Sequence, residues 1–290
     1  MIDLHLHSTA SDGEHSPAEL VRLAHRAGLR VISLTDHDTV AGLDEAGRTA
    51  SVLGMGFVTG IEISTVLDGR DVHLLGYGFA PGDPMLAGFL REQRDDRVRR
   101  VVDMGERLAA LGAPIDVEPI LNVARAGGDC SVGRPQIARA LIDAGHVSNA
   151  LEAFDRFLFE GGPAYVPRRS ASPHDVIALV RRAGGLTSLA HPALTQRDDA
   201  IPGLAAAGLF ALEAWHTDHD AEATARYVSM AAQLDLALSG GSDFHGAARH
   251  RRLGTVVLPS SAYGELVARA AGAGVLNLPR DPARLDTTDG

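Results

Sequence analysis

The stretch IDLHLHSTASDG, residues 2–13, places two histidines two positions apart in an apolar run. In a strand, successive side chains alternate between two faces, so Asp3, His5 and His7 are expected on one face and the apolar side chains on the other. Two imidazoles on one edge contribute little to a core and are well placed to bind a metal ion. A surface or core pair of histidines would show the same HxH pattern, so the rest of the chain must decide between these interpretations.

The composition is that of a globular protein. The 290 residues are 45% hydrophobic and 22% charged, which provides enough apolar side chains for a core. The formal net charge of -10 argues against an overall basic surface for nucleic acid, although a local basic groove is compatible with it. The one cysteine, Cys130, excludes a disulfide within the chain and does not indicate a zinc–thiolate site.

We expect a cytoplasmic location. The first strand begins at Ile2 with no charged segment and long apolar stretch before it, so the pattern of a signal peptide is absent. No uninterrupted apolar run approaches the roughly 20 residues that cross a bilayer.

Short apolar runs alternate with helical patterns in the first and last parts of the chain. Ser16 followed by Pro17 predicts the start of a helix between the first two strands. This β-α-β order is typical of a parallel α/β arrangement. The predicted strands after the first are RVISLTDHDT, GFVTGIEIST, DVHLLGYGF, LTSLAHP, LFALEAWHTDHD, LALSGGSDFH and TVVLP.

The middle of the chain has a different sequence pattern. From residue 84 to 168 it is helical in period and lacks clusters of His and Asp at strand ends. We therefore predict that residues 1–83 and 169–290 form one α/β barrel and that residues 84–168 are a helical insertion that caps the substrate.

Potential metal ligands recur at the ends of the predicted strands. In parallel α/β folds these ends meet at one rim, so residues from distant parts of the chain are expected to converge. A glutamate or histidine within a single strand would by itself rather indicate a salt-bridged or solvent-facing side chain. The set is large enough for two or three ions, and its mixture of imidazole and carboxylate favours Mn, Fe or Zn over Ca or Mg. Its members are His5, His7, Asp12, His37, Glu62, His73, His191, Asp243 and His245.

These motifs match a known family in order and approximate spacing. The chain closely resembles the PHP (polymerase and histidinol phosphatase) phosphoesterases through HLHSTASDG, TDHDT, the Glu62 strand, VHLLGYG, LAHP and GSDFH. The resemblance implies a distorted (β/α)7 barrel with a trinuclear site, in which manganese is the expected ion. It implies one ion at His5, His7, Glu62 and Asp243, a second at Glu62, His73 and His191, and a third at Asp12, His37 and His245.

The predicted insertion resembles one branch of that family. SVGRPQIARAL (131–141) and EAFDRFLFEGGPAYVPR (152–168) are similar to enzymes that remove the 3'-phosphate from nucleoside 3',5'-bisphosphates such as adenosine 3',5'-bisphosphate (pAp). Members of this branch also trim short oligoribonucleotides from the 5' end. The resemblance implies that Arg134 and His216 bind phosphate, while Gln136 stands where the family often has histidine.

Other polar residues are assigned more ordinary roles. Asp36 and Asp38 are expected to orient imidazoles, or equally to cap a helix or form a turn. Arg94, Arg97 and Arg168 could add positive charge near the mouth of the site, but a solvated helix or loop surface is the preferred interpretation for them. Ordinary surface positions are expected for His15, His25, His146, His174, His219 and His250.

The sequence therefore predicts a metal-dependent phosphoesterase with Asp12, His37, Glu62 and Asp243 as catalytic residues. Divalent ions lower the pKa of a bound water and neutralise phosphoryl oxygens, so no Ser or Cys nucleophile is required. The expected partners are a nucleotide bisphosphate and short RNA, with no membrane and no obligate protein partner. Two alternatives remain: a histidinol-phosphate phosphatase, which the insertion disfavours, and a non-catalytic PHP module that regulates a partner, which the intact ligand set disfavours.

Overall fold

The computed structural model describes residues 1–125, 129–169, 171–246, 252–275 and 277–279. Its strands form one sheet in sequence order, and the last strand returns to the first. The Leu4 N–H donates to the Gly240 carbonyl (3.1 Å) and the Asp243 N–H to the His5 carbonyl (2.9 Å), so the sheet nearly closes into a barrel. The strands are β1 (Ile2–Asp3), β2 (Val31–Leu34), β3 (Gly56–Leu67), β4 (Arg70–Tyr77), β5 (Leu186–Leu189), β6 (Ala211–Trp215) and β7 (Ala237–Gly240).

The expected distorted seven-stranded barrel is confirmed, but one strand runs the other way. β4 is antiparallel to both β3 and β5, whereas the other neighbouring strands are parallel. A tight turn at Asp68 and Gly69, both with positive φ, joins β3 to β4. Such a hairpin replaces the long crossover that a parallel neighbour would need. The parallel arrangement suggested by the first β-α-β unit therefore does not extend to β4.

The prediction that TVVLP forms a strand was wrong. Within the described residues this segment forms no strand, and the Leu258 N–H donates one hydrogen bond to the Ile2 carbonyl (2.9 Å) beside β1. The segment begins in a turn, in which the Thr255 N–H donates to the Arg252 carbonyl, and the last helix follows it.

The helices begin where the capping chemistry predicts. Ser16 and Ser172 each precede a proline and form a capping box with an acidic residue three positions on. The helices are α1 (Pro17–Arg26), α2 (Leu43–Val52), α3 (Pro84–Ala110), α4 (Glu118–Arg125), α5 (Arg134–Asp143), α6 (Ala150–Ala153), α7 (Pro173–Arg182), α8 (Pro192–Thr195), α9 (Ile201–Ala206), α10 (Ala221–Gln233) and α11 (Ser260–Gly272). A π-helical segment (Phe154–Leu158) follows α6, and a 3₁₀ turn (Asp198–Ala200) precedes α9.

The buried apolar residues separate into clusters that follow this organisation. Two clusters join the strands to the surrounding helices, with Ile2 and Tyr77 packed near Tyr263 of α11 in one of them. A third is built from the chain between β4 and β5, including Met104 of α3 and Leu141 of α5. A separate core of this kind supports a helical insertion, whose limits at residues 84 and 168 remain our proposal. None of the helices that the structure describes combines the length and apolar character required to span a membrane.

Candidate metal centre

The first segment of the chain places its histidines as the alternation predicts. Ile2, Leu4 and Leu6 belong to the hydrophobic clusters, whereas His5 and His7 point together into the barrel and are fully buried. Their ring centres lie 5.2 Å apart. Apolar side chains on the opposite face therefore anchor the segment that presents both imidazoles.

Glu62 in β3 is the residue on which the site converges. Its carboxylate is 1% exposed and faces imidazoles from four separate segments of the chain. The Oε2 atom lies 3.3 Å from His5 Nε2, 3.2 Å from His7 Nε2 and 3.1 Å from His37 Nδ1. The Oε1 atom lies 2.7 Å from His73 Nδ1 and 3.1 Å from His191 Nε2.

Two aspartates complete the cluster from opposite ends of the chain. Asp243 Oδ1 lies 3.5 Å from His5 Nε2 and 3.2 Å from His7 Nε2. Asp12 Oδ1 lies 3.1 Å from the Nε2 atom of His245. The structure thus brings all nine candidate ligands into one place, although Glu62 and His73 lie within strands and not at strand ends.

The ligand atoms fall into overlapping groups that each have the dimensions of an ion site. His5, His7, Glu62 and Asp243 form one group, as the resemblance implied. The group expected around Asp12, His37 and His245 also includes His7, and His37 joins Glu62 and His73 in another.

Many buried polar atoms at the centre have no hydrogen-bond partner among the described residues. An unsatisfied buried donor or acceptor costs about 1–3 kcal/mol, so a protein does not retain many without a ligand to bind them. Imidazole nitrogens and carboxylate oxygens in this mixture are ligands of Mn, Fe and Zn. The residues present therefore fit a multinuclear metal centre. The atoms concerned are His5 Nε2, His7 Nδ1 and Nε2, His37 Nδ1, Glu62 Oε2, His73 Nε2, His191 Nδ1 and His245 Nε2.

The electrostatics of the cluster favour the ligating protonation states of Glu62 and His37, but not of every imidazole. Burial opposes ionisation of Glu62, but the imidazoles of His37, His73 and His5 hold its pKa well below the ordinary value. Burial lowers the pKa of His37 well below its usual range, so this imidazole is neutral near pH 7. Ionised carboxylates and neutral imidazoles are the forms that bind cations. Burial opposes protonation of His5 and His7, yet the carboxylates beside them raise the pKa of both, to about 9 for His7, so a bound metal ion would have to displace a proton there.

Sequence reasoning placed Asp3 on the face of His5 and His7 but assigned no role to it or to Glu213, and both buried carboxylates support the centre. Glu213 in β6 lies 2.9 Å from His5 Nδ1 and accepts a hydrogen bond from the His191 N–H (2.7 Å). Asp3 accepts hydrogen bonds from the Ser242 N–H (2.9 Å) and hydroxyl (2.6 Å), beside Asp243. Glu213 could have been recognised from the sequence, because it stands inside the apolar run LFALEAW and a buried carboxylate needs a partner.

The structure corrects the imidazole-orienting role expected for Asp36 and Asp38 and favours the turn role. Asp36 accepts hydrogen bonds from the Ser8 N–H (2.7 Å) and from the hydroxyls of Ser8 and Ser11 (both 2.6 Å). Asp38, which has a positive φ, accepts from the Ser64 N–H (2.9 Å) and from Arg97 Nε (2.7 Å). Both carboxylates therefore fix the loops that carry the ligands.

His216 lies behind the centre. It is 2% exposed, its Nε2 atom is 3.4 Å from Asp243 Oδ2, and its Nδ1 atom accepts a hydrogen bond from the Asp218 N–H. The residue is not among those that line the adjoining cavity. Its expected phosphate-binding role remains a prediction, and its contacts suit it to positioning Asp243.

A cavity of about 240 Å³ is lined both by candidate ligands and by arginines from the middle of the chain. Arg134 lines it as expected, and Gln136, which donates to the Ser11 carbonyl (2.7 Å), lies beside it. The cavity is also lined by Arg97, Arg100 and Arg168.

The solvated surface positions preferred for Arg94, Arg97 and Arg168 were wrong, and the alternative of positive charge near the site fits Arg97 and Arg168, which line the cavity. Arg97 is buried, and the Arg168 side chain is 6% exposed and paired with Asp71 at 3.1 Å. Arg94 donates to Asp129 (2.8 Å) and its side chain is 13% exposed. The signal for burial was positional: Gln93, Arg97 and Arg100 are spaced four and three residues apart on one face of α3.

The histidines expected at the surface vary in exposure. His25 and His174 are exposed, whereas His15, His146 and His219 are partly buried. His250 lies outside the described residues.

Comparison with known proteins identifies the family. The PHP domain signature matches residues 3–126. A 3',5'-nucleoside bisphosphate phosphatase of Chromobacterium violaceum is 33% identical over 249 residues, covering 84% of this chain and 87% of that protein. This chain belongs to the PHP family. Membership of this family is consistent with the cluster of nine candidate metal ligands inside the barrel.

Other PHP relatives differ in the reaction for which they are named. A phosphoribosyl 1,2-cyclic phosphate 1,2-diphosphodiesterase of Eggerthella lenta is 34% identical over 252 residues, covering 84% of this chain and 94% of that protein. A 5'-3' exoribonuclease of Haemophilus influenzae is 41% identical over 190 residues, covering 66% of this chain and 68% of that protein. A Bifidobacterium adolescentis structure assigned as a metal-dependent phosphoesterase has a TM-score of 0.85 at 34% identity, covering 92% of this chain and 96% of that one.

Proposed function

We propose that this protein is a metal-dependent phosphoesterase that hydrolyses the 3'-phosphate of nucleoside 3',5'-bisphosphates, converting pAp to AMP, and that it also trims short oligoribonucleotides from the 5' end. One observation carries the proposal: a single cavity joins the candidate ligands to Arg134, a cation suited to phosphate. The relatives named as a bisphosphate phosphatase and an exoribonuclease support it.

The proposed ligands follow the three groups expected from the sequence. His5, His7, Glu62 and Asp243 would hold one divalent ion, Glu62 with His73 and His191 a second, and Asp12 with His37 and His245 a third. Manganese is the ion we propose. The imidazole nitrogens and the Glu62 oxygen that lack a hydrogen-bond partner among the described residues support a metal centre here, and the first and third groups have the spacing of an ion site. His191 meets the proposed second site through Glu62 Oε1, at 3.1 Å from its Nε2 atom.

The side chains around the centre have distinct parts in the reaction. Divalent ions bound here would supply an activated water near neutral pH and neutralise developing charge on the phosphoryl oxygens. Glu213 holds His5 by its Nδ1 atom, which leaves Nε2 facing Glu62. Arg134 lies 5.3 Å from the centre of the Tyr165 ring, a contact that limits its motion, and its guanidinium would donate to phosphate oxygens.

A cyclic phosphodiesterase activity is the second candidate. The Eggerthella relative is named for a phosphoribosyl cyclic phosphate and the Chromobacterium relative for a nucleoside bisphosphate, and both compounds carry a ribose and two phosphorus groups. The cavity presents an anion-binding wall beside the ligand cluster, which suits either compound.

The deciding experiment compares hydrolysis by manganese-loaded protein of pAp, AMP, histidinol phosphate, phosphoribosyl 1,2-cyclic phosphate and a short 5'-phosphorylated RNA. Phosphate release measures the first three, and chromatography of the products measures ring opening of the cyclic phosphate and release of mononucleotides from the RNA. We expect kcat/KM for pAp to exceed the values for AMP and histidinol phosphate by at least about 100-fold, because only pAp places one phosphate at each end of the cavity. A higher value for histidinol phosphate or for the cyclic phosphate would replace the proposed substrate with that compound.

A further inference from the structure

Two arginines one turn apart on α3 line the cavity but differ in their hydrogen bonding. Each guanidinium nitrogen of Arg97 donates a hydrogen bond: Nε to Asp38 (2.7 Å), Nη1 to the Val132 carbonyl (3.2 Å) and Nη2 to the Ser64 hydroxyl (3.0 Å). These bonds tie α3 to the loop after β2 and to β3. Arg97 therefore has a structural explanation that needs no ligand.

Protein contacts explain Arg100 only in part: its guanidinium lies over the Tyr165 ring, 5.9 Å from the ring centre. Its Nε donates to the Val166 carbonyl (2.8 Å), but the buried Nη2 has no hydrogen-bond partner among the residues that the structure describes. The residue is 2% exposed and lines the cavity. A buried cationic donor left unpaired is costly, so its retention at a cavity wall indicates that an anion completes its hydrogen bonding.

The charges around Arg100 also indicate a bound anion. Arg134 and Arg168 share one carboxylate, Asp71, with N···O distances of 3.1 Å each. Among the described residues, Asp71 is the carboxylate paired with this group of three guanidiniums. Asp38, which also acts on Arg168, is paired with Arg97. Burial, followed by repulsion from Arg168 and Arg134, lowers the pKa of Arg100 to about 9, so it is still cationic near pH 7. Excess positive charge in a largely buried wall is stabilised by a bound anion.

We propose that Arg100, Arg134 and Arg168 form an arginine subsite that binds the phosphate that is not cleaved, the 5'-phosphate of a nucleoside 3',5'-bisphosphate. This inference rests on the proposed function and adds Arg100 and Arg168 to the phosphate contact already expected of Arg134. Because the same cavity is lined by the candidate metal ligands, a ribose with two phosphates can place one at each end. The arginine subsite would thus distinguish bisphosphates from monophosphates.

The test compares Arg100→Met with Arg107→Met. Arg107 is a matched control, because it lies two turns further along α3, is exposed, and donates to the Tyr165 carbonyl next to Val166 without lining the cavity. We expect Arg100→Met to lower kcat/KM for pAp about 10- to 100-fold more than for 3'-AMP, which lacks the 5'-phosphate. Arg107→Met should change neither value.

A binding measurement separates this inference from the proposed function. Calorimetry without added metal should show that 5'-AMP binds more tightly than adenosine, and that Arg100→Met, but not Arg107→Met, removes the difference. If wild-type protein does not hydrolyse pAp yet shows this Arg100-dependent preference, the proposed function fails and the subsite stands. Equal losses on pAp and 3'-AMP, or an unchanged preference for 5'-AMP, would overturn the subsite.

A second variant covers the case in which Arg100→Met fails to fold. Arg100→Lys keeps the charge but loses the planar fork. We expect its loss on pAp to exceed its loss on 3'-AMP, and equal losses would again count against the subsite.

Discussion

The buried contact between Glu213 and His5 orients one imidazole of the centre. The two side chains are fully buried, and the Glu213 carboxylate also accepts a hydrogen bond from the His191 backbone. Burial opposes ionisation of Glu213, but His5 lowers its pKa below the ordinary value, so the group is an anion near pH 7. An anion at Nδ1 fixes the tautomer of His5 and strengthens Nε2 as a ligand.

We therefore predict that Glu213→Gln weakens metal binding without removing a ligand. Removal of a partner of this kind lowers metal affinity or activity about 10- to 100-fold. The measurement is a manganese titration of phosphate release, in which the half-saturating concentration should rise. Glu222→Gln, an exposed substitution on α10, is the control and should leave the titration unchanged. An unchanged titration for Glu213→Gln would show that the charge of this residue does not act on the centre.

At the scale of single residues, the sequence predicted the candidate ligands better than their supports. The nine ligand positions followed from His, Asp and Glu in apolar or strand-end contexts, and the structure places them together. Glu213 contacts His5 across 208 positions of the chain, a pairing that no local pattern encodes. Arg100 was missed because it stands in the charged run REQRDDRVRR, which resembles a solvated helix face.

At the scale of elements, α3 serves both the cavity and the core of the middle segment. Its buried face carries Arg97 and Arg100 at the cavity and, one and two turns later, Met104 and Leu108 in the third hydrophobic cluster. The position of the arginines therefore depends on packing further along the same helix.

We predict that Met104→Ala destabilises the protein by about 2–5 kcal/mol, the usual cost of truncating a fully buried side chain. Urea unfolding would measure the change in the free energy of unfolding. Met85→Ala is the matched control on the same helix, because Met85 is 60% exposed, and its change should stay within about 0.5 kcal/mol. Similar losses for both variants would show that the third cluster does not stabilise α3.

The direction of β4 shows where pattern reasoning about elements stopped short. The β-α-β order correctly predicted the parallel strands β1 to β3. The dipeptide Asp68–Gly69 between two alternating runs is a hairpin signal, and it was legible in TVLDGRDVHLL. Helix α2 escaped notice because its sequence LDEAGRTASV contains a glycine and few large apolar residues.

At the scale of the whole molecule, the cavity draws its two chemical halves from different parts of the chain. The candidate metal ligands come from the barrel strands and their loops, whereas Arg100 and Arg134 belong to the segment between β4 and β5. The resemblance to a family conveyed this arrangement in outline. The separate core of that segment and its arginine wall emerged only from packing in three dimensions, since composition and periodicity do not report which helices meet.

Metal binding should be linked to the stability of the entire fold. The ligands lie on segments from both ends of the chain, from His5 to His245, so unfolding would disperse them and release the ions. Binding to the folded state alone stabilises it by about 2.7 kcal/mol at a concentration 100 times the dissociation constant, which for a chain of this size raises Tm by about 5 °C.

We accordingly predict that chelator-treated protein has a lower Tm than the manganese-loaded protein, and that added manganese raises Tm in a concentration-dependent way. Calcium should have a smaller effect, because the imidazole-rich centre favours manganese over an ion that prefers oxygen ligands. Differential scanning calorimetry is the measurement, and Glu62→Gln is the decisive variant, since Glu62 faces imidazoles from four segments. A Glu62→Gln protein that still gains the full manganese-dependent increase would place the stabilising ion elsewhere.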